Sequence, residues 1–287
     1  MLSPDLATPR LDVPRVGASP DAPDLYHGLA ALSAALLVLM ALWAFSGEAR
    51  TVNGVPVWLK PAKFSLSFVV LFGTIALVRD RLSPAVRDGW PLRLVGWGMA
   101  AAVITEVAWV VHQAARGTGS HFNLATPFEA FMYTTVMAAG AVYLVAAIGA
   151  IGWIAWRDRA AAMGPGLREG VWLGFLASFL LTLVVAGVMS SGTGPHVGVH
   201  PDGAPVLPLL GWSGVTGDLR PAHFLALHAM QALPLLGLWL DRGRTDADGG
   251  ASTVRTVRVA ALIWTALTLA AFAQAMAGMP LIPLGAG

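Results

Sequence analysis

The chain has 287 residues, of which 56% are hydrophobic and only 12% charged, against about 25% charged in soluble domains. With a mean hydropathy of +0.67 it is a polytopic membrane protein, and the absence of cysteine excludes disulfides, thiolate metal sites, iron–sulfur ligation and a cysteine nucleophile. The net charge of +2 is small and 16 of the 18 basic residues are arginines, a distribution that reports membrane topology and gives no support to a nucleic-acid partner.

Residues 1–25, rich in Pro and Asp, lack the pattern of a cleavable signal peptide and read as a disordered tail, leaving 26–287 as one transmembrane domain. Apolar runs follow near 28–45, 64–78, 94–115, 127–156, 171–189, 222–240 and 256–277, most of them close to the roughly 20 residues that cross a bilayer. The predicted fold is therefore all-α, a bundle of seven transmembrane helices. The second run is short unless it begins at Pro61, and the fourth is long enough to tilt or project. The N-terminal tail and the loops after helices 2, 4 and 6 hold 13 of the 18 Lys and Arg residues. This predicts a cytoplasmic N-terminus and an external C-terminus.

Two helices open on one template, Leu59-Lys60-Pro61-Ala62-Lys63-Phe64 and Leu219-Arg220-Pro221-Ala222-His223-Phe224. Cations are unfavourable at a helix N-terminus, so a compensating anion, carboxylate or ligand is expected there. On helix 2, Lys60, Lys63 and Ser67 align. On helix 3, Thr105, Glu106, Trp109, His112, Gln113 and Arg116 fall within an arc of about 120° at 100° per residue, predicted to face the bundle interior. Glu106 lies about 15 Å inside Arg116 at helical rise, near the membrane midplane, where a carboxyl needs a partner or a proton. Thr126-Pro127-Phe128-Glu129 matches a capping box, which accounts for Glu129 without function.

Six of the seven histidines fall on the predicted outer side. His121 lies in one outer loop, and His196 and His200 in the longer loop 190–220. Glycines and prolines around the last two argue against a helical His-x3-His chelate. On helix 6, Arg220, His223, His228 and Gln231 share an arc of about 140°, the two histidines being too far apart around the helix to grip one ion. Helices 2, 3 and 6 would then bring imidazole, ammonium, guanidinium and carboxyl groups to one outer cavity. The tryptophans mostly flank the apolar runs, as interfacial anchors do.

Three segments, Trp58 to Phe64, Gln113 to Asn123 and Gly217 to Phe224, resemble the signature segments of a family of uncharacterised bacterial polytopic membrane proteins. That resemblance implies a bacterial inner membrane and no particular reaction. A microbial rhodopsin is excluded because the seventh helix has no lysine, and intramembrane metal hydrolases of the ceramidase type match poorly because Arg255 to Met279 holds no histidine.

Three functions compete. The first is a redox protein binding Zn, Cu or Fe, or a b-type haem between His112 and His223, with Lys60, Lys63, Arg116 and Arg220 neutralising propionates or an anionic quinone-site partner. Metal ligands would come from His121, His196, His200, His223 and His228. The second is a metal-dependent hydrolase or transferase on an anionic lipid-linked substrate, with Glu106 as the catalytic base. The third is an anion or proton-coupled carrier or sensor without catalysis, in which Glu106 and His112 relay protons and the repeated template marks a parallel internal repeat. Each would act from the periplasmic face of the inner membrane, alone, as a homo-oligomer or with a partner subunit.

Overall fold

A computed structural model describes residues 24–52, 54–192, 194–208, 210–242 and 250–284. The tail expected over 1–25 lies outside them except for Asp24 and Leu25, which begin the first helix. In chain order the elements are α1 (Leu25–Ala44), β1 (Thr51–Val52), β2 (Val55–Pro56), α2 (Leu59–Arg79), α3 (Pro84–Arg87), α4 (Trp90–Arg116) and α5 (Pro127–Phe131). A π-helical turn, Met132–Met137, joins α5 to α6 (Ala138–Arg157); α7 (Pro165–Ser191), β3 (His196–Val197), β4 (Gly217–Asp218), α8 (Arg220–Arg242) and α9 (Ala251–Met276) complete the chain.

All seven apolar runs are helices long and apolar enough to cross a membrane, from 20 residues in α1 to 31 over Pro127–Arg157. The protein is thus an all-α, seven-helix membrane protein. The second helix reaches spanning length because it begins at Leu59 and takes in Pro61, whose fixed φ and missing N–H suit a first turn.

The helices form two groups of three. α1, α2 and α4 pack on one another, as do α7, α8 and α9, and α6 bridges α4 to α7. Phe72 and Ile75 of α2, Met99 of α4, Ile151 of α6, Phe175 of α7 and Met230 of α8 are buried in one apolar core that joins the groups. Lipid gives apolar side chains no hydrophobic reason to associate, so close backbone approach carries the packing. Between α7 and α8 this is done by glycine: a Cβ on Gly170 would lie 2.4 Å from the Leu233 carbonyl oxygen, and one on Gly237 2.1 Å from that of Gly166. Ser178 continues the same ladder, donating its hydroxyl to the Leu227 carbonyl at 3.0 Å. Asp241 then caps α7 by accepting from the Gly166 and Leu167 amides at 2.9 and 2.8 Å.

One end of the bundle is rich in arginine. There Arg79 pairs with Asp24 at 2.9 Å, His27 contacts Asp24 and lies 3.3 Å from Asp80, and Asp158 accepts from the Ser83 amide at 2.7 Å. The opposite end carries two small antiparallel pairings, Thr51 with Pro56 and His196 with Asp218, together with most of the histidines.

Candidate functional site

At the histidine-rich end, Lys60 on the first turn of α2 meets His121 of the loop after α4, with Nζ 3.1 Å from Nδ1. An ammonium only donates, so Nδ1 accepts, and the imidazole is neutral with its proton on Nε2. Burial pushes the His121 imidazole down to about 3, and the Lys60 charge acts in the same direction. The ring is walled by Phe64 at 5.6 Å and by Tyr133, on the π-helical turn, at 5.8 Å.

Deeper on the same side lies Glu106. It is 5% exposed, its Oε1 is buried without a hydrogen-bond partner, and it faces Gly140 of α6, where a Cβ would come within 2.9 Å of that oxygen. Lys60 is the cation in electrostatic reach, though beyond ion-pair distance. Above Glu106, α4 is given over to holding the loop. Trp109 Nε1 donates to the Ser120 carbonyl at 3.0 Å, Gln113 Nε2 to that of Gly119 at 3.4 Å, and Arg116 pairs with the buried Glu129 carboxylate at 2.8 Å. The Thr126 cap is present, its hydroxyl accepting from the Glu129 amide at 3.2 Å. Glu129 is therefore both a cap residue and the counter-ion of Arg116.

The stripe expected on α4 divides. Glu106, Trp109 and Gln113 are buried, whereas Thr105, His112 and Arg116 are exposed. The buried face is centred on Val103, Val107, Val110 and Ala114, so the polar arc forms its edge and half of it turns away from the bundle.

A second cluster surrounds the start of α8. Arg220 grips Asp218 through Nε at 2.9 Å and Nη2 at 2.6 Å. Asp218 also accepts from the Ser213 amide at 2.8 Å and the Arg220 amide at 3.0 Å. Burial pushes the Asp218 carboxyl up, but the hydrogen bonds and charge of Arg220, with the two amides, outweigh it and hold the group below the ordinary carboxylate range. Arg220 Nη2 further reaches the Gly211 carbonyl at 2.6 Å and His196 Nε2 at 3.2 Å. By the same donor argument His196 is neutral, with its proton on Nδ1; burial holds its imidazole low, and His200 and Arg220 add to this against the opposing effect of Asp218. His196 and His200 stack at 4.1 Å, and His200 Nδ1 meets the Ser213 hydroxyl at 3.1 Å. The His-x3-His pair thus meets without a helix.

On α8 itself, His223 has a buried Nδ1 with no partner, while His228 Nδ1 lies 3.2 Å from Gln231 Oε1. Lys63, on the exposed surface of α2, lies in electrostatic reach of Arg220. Between the two helices, Val70, Thr74 and Leu77 of α2 and Gln231 and Pro234 of α8 line a crevice of about 190 Å³.

The single outer cavity predicted from α2, α4 and α8 is accordingly two clusters, Lys60–His121–Glu106 and Asp218–Arg220–His196, with Lys63 between them. The predicted metal set of His121, His196, His200, His223 and His228 is not gathered: among the described residues the one group of three ligand types within reach of a single ion is Asp24, His27 and Asp80 at the arginine-rich end. Lys60 and Arg220 lie instead on the acceptor nitrogens of His121 and His196. The expected haem pair is divided between α4 and α8. His112 lies on the exposed side of α4 against Trp109, 5.8 Å away, and α4 makes no extensive contact with α8, which carries His223. Gly140, Ser213 and Tyr133 have no signal in the sequence, because each matters only through what tertiary packing places beside it.

Fold and site together define a polytopic helical membrane protein with buried ionisable groups at one end. Compared with protein families, curated proteins and solved structures, the chain gives no match.

Proposed function

We propose that the protein is a proton-coupled carrier of a bacterial inner membrane, with Glu106 as the group that takes up and releases the proton. One observation carries the reading: a carboxyl inside a helix long and apolar enough to span a membrane, buried, with an oxygen left unpartnered, within electrostatic reach of one ammonium. Intramembrane carboxyls are costly and are either neutral or paired, so Glu106 has two states, protonated alone or ionised toward Lys60. The π-helical turn of the facing helix gives α6 a place to bend between them, as such turns do at functional sites. Lys60 and His121 link the carboxyl to the histidine-rich end, and the arginine excess at the opposite end supports a periplasmic position for it.

The test is charge movement in proteoliposomes on a solid support, recorded for a panel of small solutes with and without a pH step. Wild-type protein gives solute-dependent currents that Glu106→Gln abolishes while its thermal unfolding is unchanged. Currents indifferent to Glu106→Gln overturn the proposal. So does a Soret band or stoichiometric metal in the purified protein that disappears in His223→Ala, since that assigns a cofactor to α8.

A further inference from the structure

The faces of α2 and α8 that line their shared crevice also carry, nearer the histidine-rich end, a cation without a carboxylate partner and a buried imidazole nitrogen without a hydrogen bond. On α2, Lys63, Ser67, Val70, Thr74 and Leu77 fall within an arc of about 80° at 100° per residue, and the last three line the crevice. On α8, Arg220, His223, Leu227, Gln231 and Pro234 do the same, the last two lining the crevice from the other side. Lys63 stands about 10 Å above Val70, and His223 about 12 Å above Gln231, at helical rise. The two faces meet through the crevice, and above it Lys63 and Arg220 stand within electrostatic reach of each other.

Among the described residues, that upper level holds two cations, Lys63 and Arg220, and one carboxylate, Asp218, between them. No carboxylate lies within ion-pair distance of Lys63 among the described residues; Arg220 shares Asp218, whose remaining capacity is taken by two amides. His223 Nδ1 is buried on this side of α8 with nothing to bond. A cation without a carboxylate, near an ion-paired guanidinium and an unsatisfied buried imidazole, is an arrangement that an anion completes.

We propose that the region just above the crevice between α2 and α8 is a binding site for a small anion bearing a phosphate or carboxylate group, with Lys63 as its cation, the Asp218-paired Arg220 beside it and His223 as a neutral hydrogen-bonding partner. The proposal names the solute class of the carrier described above and rests on that reading. It also accounts for the repeated template, because Lys63 and His223 occupy the same place in it and come from corresponding helices of the two three-helix groups. Small-molecule sites at the junction of two such groups are a recurrent arrangement in transporters.

The experiment is thermal unfolding and intrinsic tryptophan fluorescence of the detergent-purified protein, titrated with inorganic phosphate and with succinate. Saturable stabilisation is expected. Lys63→Gln weakens it by about tenfold or more, and Lys63→Arg retains it. Lys63 is exposed, so neither variant endangers the fold. The same titrations in nanodiscs of phosphatidylcholine and of phosphatidylglycerol separate a solute from a lipid headgroup: stabilisation by phosphatidylglycerol alone overturns the solute assignment. No response to phosphate or succinate, or a response that Lys63→Gln leaves intact, overturns the site. Glu106→Gln keeps the two readings apart. Anion binding with currents insensitive to Glu106→Gln defeats proton coupling alone, whereas Glu106-dependent currents with a neutral solute and no anion binding defeat this inference alone.

Discussion

Removing the Asp218 carboxylate tests whether the long loop after α7 is held by a single buried anion. Asp218→Ala leaves the Ser213 and Arg220 amides, now bonded at 2.8 and 3.0 Å, without acceptors, at about 1–3 kcal/mol for a buried orphan. The guanidinium loses a partner too, but its side chain is 33% exposed and water takes up part of the deficit, so that loss adds about 1 kcal/mol at most. The Arg220 amide is also relieved by its place at a helix start, so the total comes to about 3 kcal/mol, roughly a hundredfold in a local opening equilibrium. Hydrogen exchange read by mass spectrometry on peptides covering 195–219 should accelerate by that factor, while peptides of α7 remain protected. Asp218→Asn, which keeps one acceptor, should lose less. Because the folded carboxyl sits below its ordinary value, its contribution is complete above about pH 4 and is lost as pH falls through the depressed folded value. Unchanged exchange in the loop, or equal acceleration in α7, would refute the assignment of Asp218 as the local anchor.

Gly170→Ala places a methyl against the Leu233 backbone, which has no freedom to move aside, and should lower stability by about 1–3 kcal/mol. Gly187→Ala, with nothing within 4 Å of the new atom, should not, and thermal unfolding of the two variants makes the comparison. Acid should loosen the histidine-rich end: His121 is held neutral from an ordinary 6.5 down to about 3, so its contribution is complete above about pH 6.5 and declines as pH falls toward the folded value. His121→Gln, which offers Lys60 an oxygen that does not titrate, should flatten that decline in exchange over 117–126; an unaltered pH profile would show that His121 does not control it.

The spans were legible because crossing a bilayer demands a length of apolar residues that hydropathy counts directly. Less legible was which face of each helix points inward. Periodicity puts Thr105, Glu106, His112 and Gln113 on one arc, but the contacts of α4 with α2 and α6 place the border of burial through that arc, leaving His112 outside and Glu106 inside. The surroundings of the histidines were illegible for a related reason. A count of imidazoles treats each as a free ligand, whereas the acceptor nitrogens of His121 and His196 are already held by Lys60 and Arg220. The glycine ladder of α7 is visible as a four-residue spacing, but its partners, the Leu233 and Gly166 carbonyls, belong to a helix pairing that no local pattern encodes.

The repeated cation at two helix starts can now be followed to its compensation. A positive group in a first turn is opposed by the helix dipole, and each of the three cations meets that cost differently. Arg220 has Asp218 directly, and with the remaining nitrogens of its fork it fastens Gly211 and His196 of the preceding loop. Lys60 has no carboxylate at bonding distance; it donates to a neutral imidazole and acts on Glu106 through space, which makes the charge state of Glu106 the variable part of its environment. Lys63 has neither anion nor acceptor among the described residues. Two of the three therefore build the loops at this end of the bundle into fixed structure, and the third leaves a positive charge open toward the α2–α8 crevice. A fold that pairs Arg220 with a carboxylate and leaves Lys63 without one among the described residues, on corresponding turns of corresponding helices, puts an uncompensated cation where a solute entering between the two helix groups would first meet the protein.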